Sequence, residues 1–388
     1  MNSNPLLRLN KVFTTTLRTI FTDQGILIFC FLVPLFYPIL YTFIYTGETV
    51  REVPAIVVDE CNTGLSREYT RHVDATADVK IIGHAESLTA AREFIKSRDA
   101  LGIIVIPKDF EKTIVHGGQA HVSIYVDMSG LLYYKAMLVA NTDVSLAMNA
   151  EIRASKKAIK YEDVSLYNPQ NGFAGFLIPA VLILILQQTL VLGIGLVRGT
   201  EHEMHSYMGF DAFRKMGDTQ VLALGIGAAF LVVYVPISMY VLDIVPRIFS
   251  LNTIGNFWDM CIFILPFLLA SIFFGLTLGA FTMQREHIIL MVVFSSVPML
   301  FFSGVSWPSS NIPDFWKGVG SLIPSTWAVN GYVKLNSTGA HLPQVYDEWI
   351  ALWKLAGFYF LTAYFSIFSQ IFIMLRQAGG VFSKKEKN

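Results

Sequence analysis

Charge is what this chain has least of. Asp, Glu, Lys and Arg make up 15% of its 388 residues and cancel to a formal net charge of zero. Charge so sparse and so balanced gives no sign of a nucleic-acid surface, and no nucleic-acid partner is expected. Cysteine is rare too. Cys30 and Cys261 lie in apolar runs and Cys61 stands alone in the more polar part, so no disulfide framework forms there. A Gly-x-x-x-x-Gly-Lys-Ser/Thr loop is missing, which removes ATP hydrolysis by the P-loop route. No Ser-His-Asp or Cys-His set can be assembled, and His72, His84, His116 and His121 read as scattered surface or core residues. His202-Glu203-Met204-His205 looks like a zinc-protease motif, but the second His is required one residue later, where Ser206 stands. No catalytic residue and no metal ligand is therefore expected.

What is present is apolar. Hydrophobic residues make up 53% of the chain and aromatics 13%, and the mean hydropathy is +0.51. That composition belongs to an integral membrane protein. The expected fold class is an α-helical integral membrane protein with six transmembrane helices, plus an α/β extracytoplasmic domain inserted between helices one and two.

In chain order, residues 1–24 form a cytoplasmic interfacial helix. Leu6, Leu9, Phe13, Leu17 and Ile20 recur at helical spacing, with Arg8, Lys11 and Arg18 on the other side. Residues 25–44 form the first span. Its apolar run has no small-residue cleavage site and is kept as a span rather than a leader. Residues 45–171 regain charge, and their apolar runs shorten. Runs at 53–59, 79–82, 101–106 and 121–126 read as strands. Helices are expected at 87–98 with Ser87 as cap, at 108–116 stopping at Gly117-Gly118, and at 131–159. Strands alternating with helices predict a compact α/β domain. Residues 172–376 hold the other five spans, at about 173–197, 219–241, 257–281, 288–305 and 349–375. A polar loop is expected over 198–218, and a basic cytoplasmic tail over 377–388. Gln187 and Gln188 lie at mid-depth of span two. They are candidates for an interhelical hydrogen bond or a pathway contact.

The stretch 288–332 is the most unusual. A span runs through Pro298 into Phe302-Ser303-Gly304-Val305-Ser306-Trp307-Pro308. A broken aromatic passage follows, through Ile312-Pro313 to Pro324 and Trp327. Pro and Gly interrupt it too often for a straight span, and it has too few charges for a solvated loop. Trp307, Trp316 and Trp327 suit the headgroup layer. Short helices in or dipping into the membrane surface are expected, forming an outer gate over 301–332. Its candidate residues are Phe302, Gly304, Trp307, Pro308, Pro313 and Pro324.

Basic residues set the orientation. Arg8, Lys11, Arg18, the 198–218 loop, Arg285 and the Lys-rich tail fall on one side of a six-span chain, and the 242–256 loop carries only Arg247. Short basic loops stay cytoplasmic. Both termini are therefore expected inside an inner (cytoplasmic) membrane, with the 45–171 domain outside. Few charges lie within the spans, which argues against an ion-driven carrier. A transporter without its own power source needs a partner that supplies it.

Three stretches carry a family likeness: Ile103-Ile104-Val105-Ile106-Pro107-Lys108-Asp109-Phe110; Val57-Val58-Asp59 followed by Ser66; and Phe302-Ser303-Gly304 through Pro308 and Pro313 to Pro324. With the topology, they resemble the permease subunit of ABC type-2 exporters, in the branch with a large external domain between spans one and two. Val197-Arg198-Gly199-Thr200-Glu201-His202-Glu203 keeps the position and charge of a family run after span two, but not its order. The resemblance implies a second permease chain, in a homodimer or heterodimer. It also implies a cytoplasmic ABC ATPase subunit that carries the ATP and Mg, with no cofactor on this chain. The N-terminal helix and the 198–218 loop would take up the ATPase stroke, with Arg198, Glu201, Glu203, Arg214 and Lys215 as coupling residues. A periplasmic adaptor and membrane lipid are the other implied partners. The expected function is export of a hydrophobic or amphipathic substrate, such as a drug or lipid. The competing reading is a non-transporting membrane receptor or scaffold whose outer domain binds a ligand or partner.

Overall fold

The structure is a computed structural model that describes residues 5–45, 50–126, 131–152, 173–208, 219–251, 253–281, 285–307 and 311–385. The chain divides into two compact units, Gly47–Gly172 and the remainder, Met1–Thr46 with Phe173–Asn388.

The Gly47–Gly172 unit is built on a four-stranded sheet in the order β2-β1-β3-β4. The strands are β1 Val53–Asp59, β2 Val79–His84, β3 Gly102–Ile106 and β4 Ser123–Val126. The first three are parallel, and β4 runs antiparallel along β3. β1 is central and apolar without alternation because both its faces are covered. Val53, Ala55 and Val57 face a core with Tyr69, Ile104, Ile106, Phe110 and Met137. Ile56 and Val58 face a smaller one with Ala91, Ala100 and Ile103. β4 is an edge strand with a half-exposed alternating pattern.

Two of the motif stretches have visible local causes. At the end of β1, Asp59 Oδ1 accepts from Cys61 N at 3.0 Å and Asn62 N at 2.8 Å, and Ser66 Oγ donates to Oδ2 at 2.6 Å. Thr63 caps the helix Gly64–Asp74 through a reciprocal capping box with Ser66. This fastens strand to helix. After β3, Phe110 is buried and meets Tyr69 edge-on at 5.9 Å. The helix it opens, Phe110–Val115, stops where Gly117 takes φ +74°. Ser87 caps Leu88–Lys96, its side chain accepting from Ala90 N at 3.2 Å. The helix Leu131–Ile152 closes the larger core through Met137, Ala140, Val144 and Met148.

The other unit is helical. Among the described residues, six helices are long and apolar enough to cross a membrane. They are span one Gln24–Tyr45, span two Leu177–Thr200, span three Thr219–Ile248, span four Phe257–Phe281, span five Arg285–Phe302 and span six Leu342–Gln370. Span two is the axis, with 94% of its membrane-length window buried; spans one and five are the least covered, at 28% and 17%.

Four expectations about this unit are corrected. The polar stretch after span two is not a loop at its start, because the helix Phe173–Met208 continues through it. Polarity ends the apolar run there, but no Pro or Gly between Thr200 and Met208 ends the helix. Span three likewise continues to Ile248, through a π segment at Tyr240–Ile244. The N-terminal helix, Pro5–Thr22, presents the expected stripe only in part. Ile20 is buried and Leu9, Phe13 and Leu17 are half-buried, but Val12 and Thr16 are buried beside them and Leu6 is 71% exposed. It packs on span three where Val12 occupies the space beside Gly225, so Leu9, Phe13 and Leu17 only flank the contact. The fourth correction is the helix Pro324–Thr338, which is core rather than surface. Ala328, Val329, Tyr332 and Leu335 are buried, Tyr332 OH donates to Leu242 O at 2.7 Å, and Lys334 Nζ pairs with Glu348 at 2.5 Å.

Candidate functional site

The last turns of span five and the helix Asp314–Ser321 border a shallow, open hollow of about 360 Å³, lined by Pro298, Phe301, Phe302, Trp307, Ile312, Pro313 and Trp316. No charged side chain is in that set. Phe302 stacks on Trp316 with centroids 5.8 Å apart and planes at 20°, and Phe315 meets the same indole edge-on at 5.1 Å. Gly304 has φ +79°, which turns the chain off span five in a conformation that strains other residues. Ser303 is buried, and its Oγ donates to Leu300 O at 2.6 Å. Pro324 opens the next helix at its first turn, where the missing N–H would be unpaired in any case. Of the expected gate residues, Phe302, Trp307 and Pro313 line the hollow, Gly304 and Pro324 shape the chain around it, and Pro308 lies outside the described residues.

An apolar stripe leads to the hollow. Leu290, Val293, Phe294, Val297 and Phe301 on span five are all exposed, at spacings that place them on one helix face. Behind span five, Gln187 is fully buried. Its Nε2 donates to Met299 Sδ at 3.5 Å, and its Oε1 has no hydrogen-bond partner among the described residues. An interhelical contact therefore exists, and it satisfies only half of the amide. Gln188 is half-buried.

The opposite end of this unit gathers charge. Arg198 is 7% exposed and donates to Gln370 Oε1 at 2.9 Å, while Gln370 Nε2 donates to Ala280 O. Span two, span four and span six are thereby tied at one level. Arg285, at the start of span five, pairs with Asp23, between the N-terminal helix and span one. Arg198 is thus a buried tie rather than a solvated loop residue. Glu201 and Glu203 fall on the helix Phe173–Met208, and Arg214 and Lys215 lie outside the described residues.

Sequence reading missed Asp23, Arg285 and Gln370 as partners, because their contacts span between 90 and 262 residues. One local signal was available. Gly195 and Gly199 are four apart in span two, the small-residue spacing that lets membrane helices approach closely. Ile288 packs against the first, and the Arg285 Cγ lies 2.9 Å from where a Cβ on the second would stand. Asp23, just ahead of span one, is also a recognisable helix cap, its Oδ1 accepting from Gly25 N and Ile26 N.

The model of the ABC-2 family transporter protein matches residues 25–365, from the start of span one into span six. No curated protein matches the chain. Permeases of this family are the membrane component without the ATPase, and they associate with an ABC ATPase partner. The receptor-or-scaffold reading gives way to that membership. The chain belongs to the ABC-2 transporter family and is a multi-pass membrane permease of an ABC transporter.

Proposed function

We propose that this permease exports a hydrophobic or amphipathic substrate from the cytoplasm or inner leaflet, through a gate at the hollow of span five. One observation carries the reading. An uncharged aromatic hollow stands at the end of an exposed apolar stripe on span five, the least buried of the six spans. A molecule with an apolar body can follow such a stripe without leaving hydrocarbon, and amphipathic aromatic rings suit the headgroup level where it would depart. In this reading the inner membrane holds the chain with both termini cytoplasmic, and the Gly47–Gly172 unit is extracytoplasmic. Two permease chains, identical or not, pair around the pathway. ATP and Mg bind the separate ATPase subunit, which acts on the N-terminal helix and on the cytoplasmic end around Arg198, Glu201 and Glu203. The extracytoplasmic unit is a docking point for a periplasmic adaptor.

The test is dye efflux from proteoliposomes that contain the permease with its ATPase, Mg-ATP and a lipophilic fluorescent dye. Phe302→Ala and Trp316→Ala each remove one ring of the stacked pair. Burying about 40 Å² of a lipophilic dye against such a ring contributes roughly 1 kcal/mol, so half-maximal export should need roughly fivefold more dye. Basal ATP hydrolysis should stay near wild type. Unchanged export in both variants would contradict the gate, and ATP-driven uptake from the same side would contradict the direction.

A further inference from the structure

Span five is held more lightly than the other five spans among the described residues, with 17% of its window buried. A helix with so little packing is positioned by a few fixed points, and three are visible on span two. Arg285 lies against Gly199, Ile288 is buried against Gly195, and Met299 accepts from Gln187. Only the first of these carries charge, and it is shared with a third element. Arg285 Nη2 pairs with Asp23 Oδ2, with 29% of the Arg285 side chain and 18% of the Asp23 side chain exposed.

Asp23 has little freedom. Its Oδ1 accepts from Gly25 N at 2.9 Å and Ile26 N at 3.2 Å, so it cannot turn away without uncapping span one. Its own N–H donates to Thr19 O at 3.0 Å, in the last turn of the N-terminal helix. One residue therefore joins three elements: its backbone N–H ties it to the end of the N-terminal helix, and its carboxylate to the starts of span one and span five. The far end of span five carries Pro298, Phe301 and Phe302, which line the hollow.

We propose that the Asp23–Arg285 pair, seated against Gly199, is the joint through which the N-terminal helix sets the position of span five and so the state of the hollow. Asp23 and Arg285 are positioning residues, and neither touches the hollow. The proposal rests on the hollow being the gate, but its test needs neither ATPase nor substrate. A failed transport assay therefore bears on the function, and the following measurement bears on the joint.

The full chain is placed in lipid nanodiscs, with Cys61 and Cys261 replaced by Ser and Trp307→Cys as a reporter at the hollow. The rate of N-ethylmaleimide labelling is then measured. Asp23→Asn keeps the capping oxygen and removes the charge, and Arg285→Gln removes the opposite charge. Each should change the rate at least about fivefold, the lower range of coupling between sites. The double variant should match either single one, because both remove the same contact. Arg285→Lys keeps the charge and should stay within about twofold of the parent. Gly199→Ala displaces Arg285 without altering either charge, and should shift the rate in the same direction even where a charge variant folds poorly. The proposal is overturned if the single variants label at the parent rate, or if their effects multiply in the double variant.

Discussion

Truncating Phe110 to alanine tests the α/β unit most sharply. The ring is 5% exposed, meets Tyr69 edge-on at 5.9 Å and 69°, and shares a core with Val57, Ile104 and Met137. Removing it forfeits the transfer free energy of the ring and leaves a void, a loss of roughly 3–5 kcal/mol for Phe→Ala. About 0.5–1.5 kcal/mol of that is the aromatic pair. A domain of this size has on the order of 5–15 kcal/mol in total. Its core residues are distinct from those of the helical unit, so the isolated segment 48–165 is a fair test object. Thermal melting followed by circular dichroism is the assay. At roughly 3–4 °C per kcal/mol for a segment of this length, the midpoint should fall by about 10–20 °C. Phe110→Leu keeps most of the volume and should lose about a third of that. An alanine variant melting within about 3 °C of the parent would refute the claim that this ring closes the core.

Three further outcomes are expected. Burial holds the Tyr69 phenol above its ordinary value, with a smaller opposing effect from its bond to Ser145. Its stabilisation is fully present below the unfolded value of about 10 and is lost as pH rises through the folded value, so Tyr69→Phe should flatten the alkaline decline in the melting midpoint of the 48–165 segment. Gln187→Leu removes a buried amide whose oxygen has no partner among the described residues, so the melting midpoint of the detergent-solubilised chain should hold or rise; a clear fall would make the amide a net stabiliser. Reversing Glu201 and Glu203 to Lys should leave membrane insertion intact but reduce ATPase copurification several-fold; wild-type copurification would remove both from the coupling surface.

Much of the helical unit was legible because membrane spans announce themselves by length and apolarity. Span four was expected at 257–281 and lies at Phe257–Phe281. The central strands were legible for a related reason: Val53–Asp59 and Gly102–Ile106 are short, apolar and β-branched. What failed was anything that depended on hydrophobicity ending where structure ends. Span two leaves the apolar run at Val197, yet its helix continues to Met208 on residues that favour helix. The periodicity of the N-terminal helix was read against a flat membrane, but the chain packs it on span three, and the buried face turns toward Val12 and Thr16. The aromatic hollow was legible in part, because Phe302, Trp307 and Pro313 are close in sequence. The charged ties were legible only in their setting, through the Gly195–Gly199 spacing and the Asp23 cap, and not in their partners. Arg198 with Gln370, and Asp23 with Arg285, are set by which helix ends share a level.

A permease driven by a separate ATPase should bring that subunit with it when the tagged chain is purified from its own membranes. An ABC ATPase subunit should copurify, and the reconstituted pair should export lipophilic dye only with Mg-ATP. Purified chain that carries no ATPase, or dye movement that ignores nucleotide, would contradict this reading.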